Sequence, residues 1–452
     1  MAINLGKNEL PNQWIISVLP EFTRIVMGQS PSSETYNFDG MGLPFFQGKA
    51  EFGTLYPTIS KYCSVPNKIA DEGATLLSVR APVGPTNLAN TRCCIGRGLA
   101  AIHPMGGMDP KFILLLFRSI EPNLSGEGTG STFSAITKTF VDDLKFAIPP
   151  INEQKRIVAK IEELFSELDN GIATLKTARE QFKIYRQAVL IHAFEGKLTA
   201  KWREHNNIAK SSWLDTTVQK LALSGPSNGR SVKDRAGGFP VLRLTALKNG
   251  KIDLKESKEG AWDKDDAHKY IVNEGDFLFS RGNGSKHLVG RGGLVTKALF
   301  DVAFPDTIMR ISLDKTKVSP SFFSYLWESR LIRSQIERSA RTTAGIYKIN
   351  QQHVKGFRLM LPSLTEQKVI TRIIEEKLSV VDAQLDELEQ QIAKAEILRQ
   401  SILKKAFSGQ LVPQDPNDEP ASELLARIQA EKKTVSPQKT KKTRKIHSTP
   451  GH

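Results

Sequence analysis

Two stretches of this sequence combine glycine with side chains that bind bases and phosphates. They are Arg281-Gly-Asn283-Gly-Ser285-Lys286-His287 and Arg341-Thr342-Thr343-Ala-Gly-Ile-Tyr347-Lys348. Arg, Lys, Asn, Ser and Thr on exposed loops are the usual contacts to base edges and phosphate oxygens. Glycine lets a backbone approach a groove closely. Arg243, in VLRLT, is expected within a strand and projecting to the same face. In the first half of the chain the counterpart loop is Glu127-Gly-Thr129-Gly-Ser131-Thr132, with Lys138 after it; Gln47, Lys49, Arg80 and Arg97 are further candidates. Each has a plainer reading. The loops are turns carrying solvated charge, and Arg97, in CIGRG, equally fits a structural ion pair.

Catalytic constellations are missing from the sequence. The adjacent prolines Pro149-Pro150 sit in IPPI, not in the (N/D)PP(Y/F) loop of an adenine methyltransferase. Gly282-Asn-Gly284-Ser-Lys286 lacks P-loop spacing. GEGTGS at 126–131 has no strand-to-helix fingerprint around it. Asp253 with Glu256 and Lys258 places its acids too close for a nuclease centre. The eight His form no HxxxH or HExxH pair, and the three Cys (Cys63, Cys93, Cys94) form no CxxC pair. Cys93 and Cys94 lie in an apolar run and read as small core residues. No metal and no cofactor of its own is expected.

The charge agrees with a polyanionic partner. Lys and Arg number 63 against 48 Asp and Glu, a net charge of +15. The stretch from Lys432 holds seven Lys/Arg and no acid, about half the surplus, and reads as a disordered basic tail. The rest remains basic, which favours nucleic acid. With 39% hydrophobic and 25% charged residues the chain is ordinary and foldable, and its length suits two or three domains. No apolar run could span a bilayer and no secretory signal is evident, so a cytoplasmic location with no membrane partner is expected.

What must position the candidate loops is a repeat. Residues 149–198 and 362–411 align without a gap at an offset of 213, with 19 of 50 positions identical. Each copy reads as one long helix. Pro149 or Pro362 precedes it, Asn152 or Thr365 serves as N-cap, and Gly196 or Gly409 closes it. Apolar residues recur with 4-3 spacing, from Ile161, Phe165, Leu168 and Ile172 to Val189, and from Ile374, Leu378, Val381 and Leu385 to Ile402. That is a coiled-coil seam. Arg186 and Arg399 share one seam position and read as polar register-setters, a contact to a partner subunit being the functional alternative. The two helices would most simply pair with each other, as rods of roughly 65 Å.

The regions before each helix hold short apolar runs broken by Gly, Pro and Asn, such as ATLLSVRAPVG and GDFLFSRGNGS. Each reads as a compact α+β (mixed α/β) domain. The expected organisation is a first globular domain at 1–148, a spacer helix at 149–209, a second globular domain at 210–361, a second spacer helix at 362–431 and the tail at 432–452.

These residues resemble a known family. The IPP-x-x-EQK start at 148–155, its repeat LPSLTEQK at 361–368, and RQAVLIHAFEGKLTAKWRE at 186–204 are similar to the specificity subunit of type I restriction–modification systems. LLSVRAPVG with CIGRGLAAIHP, and GDFLFSRGNGS-x-x-LVGRGGL, match as well. The resemblance runs from about Pro11 to about Arg427, and the second region and both helices look closest to the enteric subgroup. It implies two target-recognition domains, each reading half of a bipartite double-stranded DNA target. It also implies an antiparallel helix pair that fixes their separation, with a pseudo-twofold. The stretch from Arg341 to Lys348 resembles a family loop that faces DNA. Two modification (adenine-N6 methyltransferase) subunits are the implied partners, with restriction/translocase subunits. S-adenosylmethionine, ATP and Mg are expected on those partners, and no catalysis is expected in this chain. The competing reading, a coiled-coil adaptor that does not bind DNA, predicts no salt-sensitive binding.

Overall fold

The computed structural model describes residues 10–124, 135–248, 250–298, 300–343 and 345–435. The chain divides into two compact units of mixed helix and sheet: Met1–Thr174 with Gln391–His452, and Leu175–Gln390.

In the first unit, Ile15–Val18 pairs antiparallel with Lys145–Ile148. A four-stranded antiparallel sheet orders Thr23–Met27, Leu99–Pro104, Thr75–Ser78 and Thr86–Leu88. Thr75–Ser78 is buried along its whole length, with Leu76 and Leu77 at its centre. A separate five-stranded sheet carries Leu43–Phe46 beside Cys93–Ile95. The helix Pro110–Leu124 lays Phe112, Leu116, Phe117 and Ile120 on a core shared with Leu77, Ile102 and Phe146. Each such buried side chain contributes about 1.5–3 kcal/mol. The same core takes Ile157, Val158 and Ile161 from the first long helix (Ile151–Phe194), and Ile402, Leu403 and Ala406 from the second (Leu364–Ala406). Leu424, Leu425 and Ile428 of the helix Ala421–Val435 complete it. Gly106 sits under this last helix at φ +62, where a Cβ would lie 2.5 Å from Ile428.

The second unit repeats the opening contact, Leu214–Thr217 against Arg358–Leu361. Its six-stranded sheet centres on Asp276–Ser280 between Ile308–Leu313 and Gly292–Leu294. The helices Pro320–Glu328 and Arg330–Ser339 cover it with Phe322, Phe323, Trp327, Ile332 and Ile336. Val189, Leu190 and Ala193 join Ile370, Ile374 and Leu378 from the two long helices in the same core.

The shared EQK motif explains how each long helix is anchored. Gln154 Nε2 donates to Pro149 O at 3.0 Å, and Gln367 Nε2 to Pro362 O at 2.9 Å; both glutamines are fully buried. Trp14 Nε1 donates to Glu153 Oε2 at 3.0 Å, and Trp213 Nε1 to Glu366 Oε2 at 2.9 Å. Asn152 and Thr365 are not the N-caps. The helices start two residues earlier than those caps imply, straight after the Pro-containing turn, and Ser363 Oγ accepts from Glu366 N at 3.3 Å. Gly196 (φ +75) and Gly409 (φ +74) follow the helix ends in the left-handed conformation. The segments 149–209 and 362–431 are therefore not continuous helices. Shorter helices follow the glycines, Ala200–His205 and Ala421–Val435, the latter running past Lys432.

Candidate nucleic-acid interface

The second unit gathers two separately noticed stretches into one place. After the buried strand Asp276–Ser280, the chain emerges at Arg281 and pairs Gly282–Asn283 with Ile346–Lys348, which in turn pairs with Arg341–Thr343. Arg281, Asn283, Arg341, Thr342, Tyr347 and Lys348 therefore belong to one small three-stranded sheet or its edge. A Cβ on Gly282 would lie 2.9 Å from Lys348 Cγ, so glycine permits the close pairing.

The loop beyond it is held rather than free. Asn283 Oδ1 accepts from Ser285 N at 3.2 Å, and Ser280 Oγ donates to Leu288 O at 3.1 Å. Arg333 donates through Nη1 to Val289 O (2.8 Å) and through Nη2 to His287 O (3.0 Å). This turns Lys286 and His287 outward as exposed side chains on a short 3-10 turn. Arg341 lies directly opposite Lys348 in the antiparallel register. Like charges in that relation repel, and neither has an ion-pair partner among the described residues. Such an arrangement is relieved by an external anion, and a phosphate backbone supplies anions at regular spacing.

Arg243 lies outside this sheet. It follows the strand Asp234–Leu242 instead of lying within it, exposed, with Nε donating to Ser257 O at 3.2 Å. Its backbone N bonds to Glu256 O as the chain leaves the two-stranded ribbon, which is why the strand ends at Leu242.

In the first unit, Thr129 and Ser131 lie outside the described residues. The chain returns at Ala135, which bridges Arg80, and Ile136 N donates to Val79 O at 2.9 Å. Their mates at the offset of 213 are Lys348 and Ile349, and Ile349 N donates to Arg281 O at 3.0 Å. Arg80 and Arg97 are exposed. Gln47 and Arg97 sit on neighbouring turns, since a Cβ on Gly98 would lie 2.4 Å from Gln47 O. Arg97 makes no ion pair among the described residues; its N–H bonds to Ser30 Oγ at 3.3 Å. Lys49 lines a cleft of about 340 Å³ with Arg118 and Arg399. Lys138 is instead paired with Asp142 at 2.5 Å within the helix Lys138–Asp142. An i, i+4 partner on the same short helix claims its charge locally.

Several contributors were not singled out from sequence. Arg333 pins the second loop. Lys61 stands over the stacked rings of Tyr36 and Phe45, 5.7 and 5.3 Å from their centroids. Only tertiary contact brings those three residues together. Burial pushes the Cys93 thiol up to about 12; Cys94 rises to about 11 through burial and then neighbouring Cys63. Neither is a nucleophile at neutral pH. Among the described residues no group of His, Cys, Asp and Glu could hold a metal ion, and no helix is long and apolar enough to cross a membrane.

The profile of the type I restriction modification DNA specificity domain matches residues 11–177 and again 224–397. The chain is 37% identical over 196 residues to the putative type I restriction enzyme MjaX specificity subunit of Methanocaldococcus jannaschii, covering 43% of this chain and 45% of that protein. It is 28% identical over 458 residues to the type I restriction enzyme EcoKI specificity subunit of Escherichia coli K12, covering 95% of this chain and 97% of that one. The crystal structure of the HsdS subunit from Thermoanaerobacter tengcongensis shares 46% identity over 36% of this chain and 39% of that chain, with a TM-score of 0.33.

Proposed function

Because the chain belongs to the family of type I restriction–modification DNA specificity subunits, we propose that each globular region reads one half of a bipartite duplex site. The two long helices, paired as an antiparallel coiled coil, set the unread spacer and dock two methyltransferase subunits. The chain is a specificity subunit, not an enzyme. S-adenosylmethionine, ATP and Mg belong to its partners, the methyltransferase and the restriction/translocase subunits.

One observation carries this reading. Arg186 Nη1 meets Asp382 Oδ1 at 2.6 Å in one unit, and Arg399 Nη2 meets Asp169 Oδ1 at 2.5 Å in the other. Arg186 and Arg399 are repeat mates, and so are Asp169 and Asp382. Exchanging the roles of the two helices converts one ion pair into the other, as antiparallel pairing of two copies of one sequence does. The seam arginines are thus register-setting contacts. The docking role is supported by apolar residues off the seam. Ile184 and Tyr185 are 69% and 45% exposed, and their mates Ile397 and Leu398 are 70% and 48% exposed. Equivalent apolar pairs on the two helices suit two copies of one partner.

The test is genome-wide mapping of N6-methyladenine in cells co-expressing the chain with the methyltransferase encoded beside it. Two short blocks around a fixed unspecified gap are expected. Exchanging residues 12–148 for another such domain should then change one block only. A single continuous motif would overturn the two-reader architecture, and a stable complex without methylation would favour the adaptor.

A further inference from the structure

The two units differ in charge at one matched place. The helices Pro110–Leu124 and Pro320–Glu328 both begin at proline and align as Phe112 with Phe322, Leu116 with Leu326 and Ser119 with Ser329. The match extends to detail: Ser119 Oγ donates to Leu116 O, and Ser329 Oγ to Leu326 O, both at 2.6 Å. The residue just before each serine is reversed in charge, Arg118 against Glu328. In the second unit Glu328 Oε2 accepts from Arg186 Nη2 at 3.0 Å and closes the junction between helix and domain. In the first unit Arg118 shares its cleft with Arg399, the repeat mate of Arg186.

That cleft, about 340 Å³, is bordered by Lys49, Arg118 and Arg399, with Phe52, Phe165 and Leu403 among its walls. Carboxylates are near but leave donors over. Glu121 also lines the cleft and favours the charge on Arg118. Arg399 reaches Asp169 at 2.5 Å and Glu396 at 3.8 Å, both largely exposed. Arg118 Nη2 donates to Thr54 O at 2.7 Å, and Arg399 lies over Phe165 at 4.6 Å. A guanidinium carries five N–H donors, so neither is exhausted by these contacts. Burial, offset by Glu121 and reinforced by Arg399, lowers the Arg118 pKa from its usual value, the mark of a cation in a place that disfavours it.

We propose that this cleft receives an acidic side chain from the protein partner that covers Ile397 and Leu398. The inference rests on the docking role given above and deepens it. Gln400, which lines the cleft, lies three residues beyond Ile397 and so one turn along the same helix face, which lets one partner surface reach both. A cleft bordered by Lys49, Arg118 and Arg399 complements a carboxylate in charge. The two docking places are consequently unequal: the one at Ile397 has an open cationic cleft, and the one at Ile184 has its arginine already bound by Glu328.

The experiment is a titration of the full chain with the co-encoded methyltransferase subunit, read by native mass spectrometry, with duplex-DNA affinity and Tm measured in parallel. The wild type is expected to take the first copy about tenfold more tightly than a two-site statistical model allows, the effect of one hydrogen bond to a charged group. Arg118→Glu sets a carboxylate against Arg399, as Glu328 stands against Arg186. It gives up the bond to Thr54 O and sets a like charge near Glu121, so Tm is read beside occupancy, and it should make the two sites equal. Arg118→Gln, which adds no charge, should equalise them too if Arg118→Glu folds poorly. Unaltered occupancy in both variants overturns the proposal. Weakened DNA binding with unaltered occupancy assigns the cleft to nucleic acid and also overturns it. A wild type that takes no methyltransferase subunit brings down the docking role itself, a result separable from the other two.

Discussion

Arg203 and Glu366 form an ion pair closed to solvent, Nη1 to Oε1 at 2.6 Å with side chains 8% and 1% exposed. Thr199 Oγ1 donates to the same oxygen at 2.7 Å, and Trp213 Nε1 to the other. Arg203 Nη2 also donates to Gly196 O at 2.6 Å, which ties the end of the first long helix to the start of the second. Arg203→Ala leaves a buried carboxylate without its counter-charge. The expected loss is roughly 3–5 kcal/mol, seen as a lower urea midpoint at unchanged slope. Adding Glu366→Gln should recover part of it. A variant within experimental error of wild type contradicts this account.

Among the described residues the repeat mate Glu153 has no equally close counter-charge. It accepts from Trp14 and, at 3.1 Å, from Gln414 Nε2. Burial raises its pKa, with Gln414 and Trp14 opposing. An acid whose folded-state value is raised stabilises the fold in its protonated form. That contribution is complete below the ordinary glutamate value and is lost as pH rises through the raised one. Glu153→Gln should therefore flatten this part of the stability–pH profile and stabilise the protein, relative to wild type, near neutrality. Urea midpoints across the acid-to-neutral range decide it, and a wild-type slope in the variant would refute it.

Arg341 and Lys348 are expected to contact phosphate. Replacing either by Ala should weaken binding to duplex DNA and lower the slope of log affinity against log salt by about 1. Removing one of two opposed cations should leave the free protein as stable or slightly more so. Equilibrium binding over a salt series checks the first part and thermal melting the second. An unchanged salt slope would remove this sheet from the interface.

Ile184→Asp and Ile397→Asp each place a charge in one exposed apolar pair. Each is expected to cut methyltransferase occupancy from two copies to one, with stability altered by no more than about 0.5 kcal/mol, since both side chains are already exposed. Mass measurement of the purified complex gives the count, and two retained copies would argue against this docking surface.

The long helices were legible because periodicity and repetition are local properties of a sequence. Ile161, Ile172, Val189, Ile374, Leu378, Val381 and Ile402 are all buried, as their spacing implies. The helix starts lie two residues before the positions expected, since a proline-bearing turn and a cap such as Ser363 compete closely with Asn and Thr as signals. Among the candidate contacts, those on the 281–287 and 341–348 stretches converge because glycine and polar residues mark a turn wherever it lies. Lys138 shows the opposite case. Its charge is claimed by Asp142, which depends on a five-residue helix too short to show periodicity. Arg118 carried no signal at all, because its meaning lies in a comparison with Glu328 across 210 positions of otherwise dissimilar sequence.

The helix Ala421–Val435, seated over Gly106, gives the molecule an order of synthesis. The second unit is continuous from Leu175 to Gln390, whereas the first is assembled from both outer segments of the chain. As the polypeptide leaves the ribosome, the middle stretch of the chain can bury its core first. The residues translated earliest must wait, with Leu77, Phe112 and Phe146 short of their partners, until Ile402, Leu424 and Ile428 emerge. A nascent chain stalled before those residues presents an unfinished first unit to the cell's chaperones and proteases.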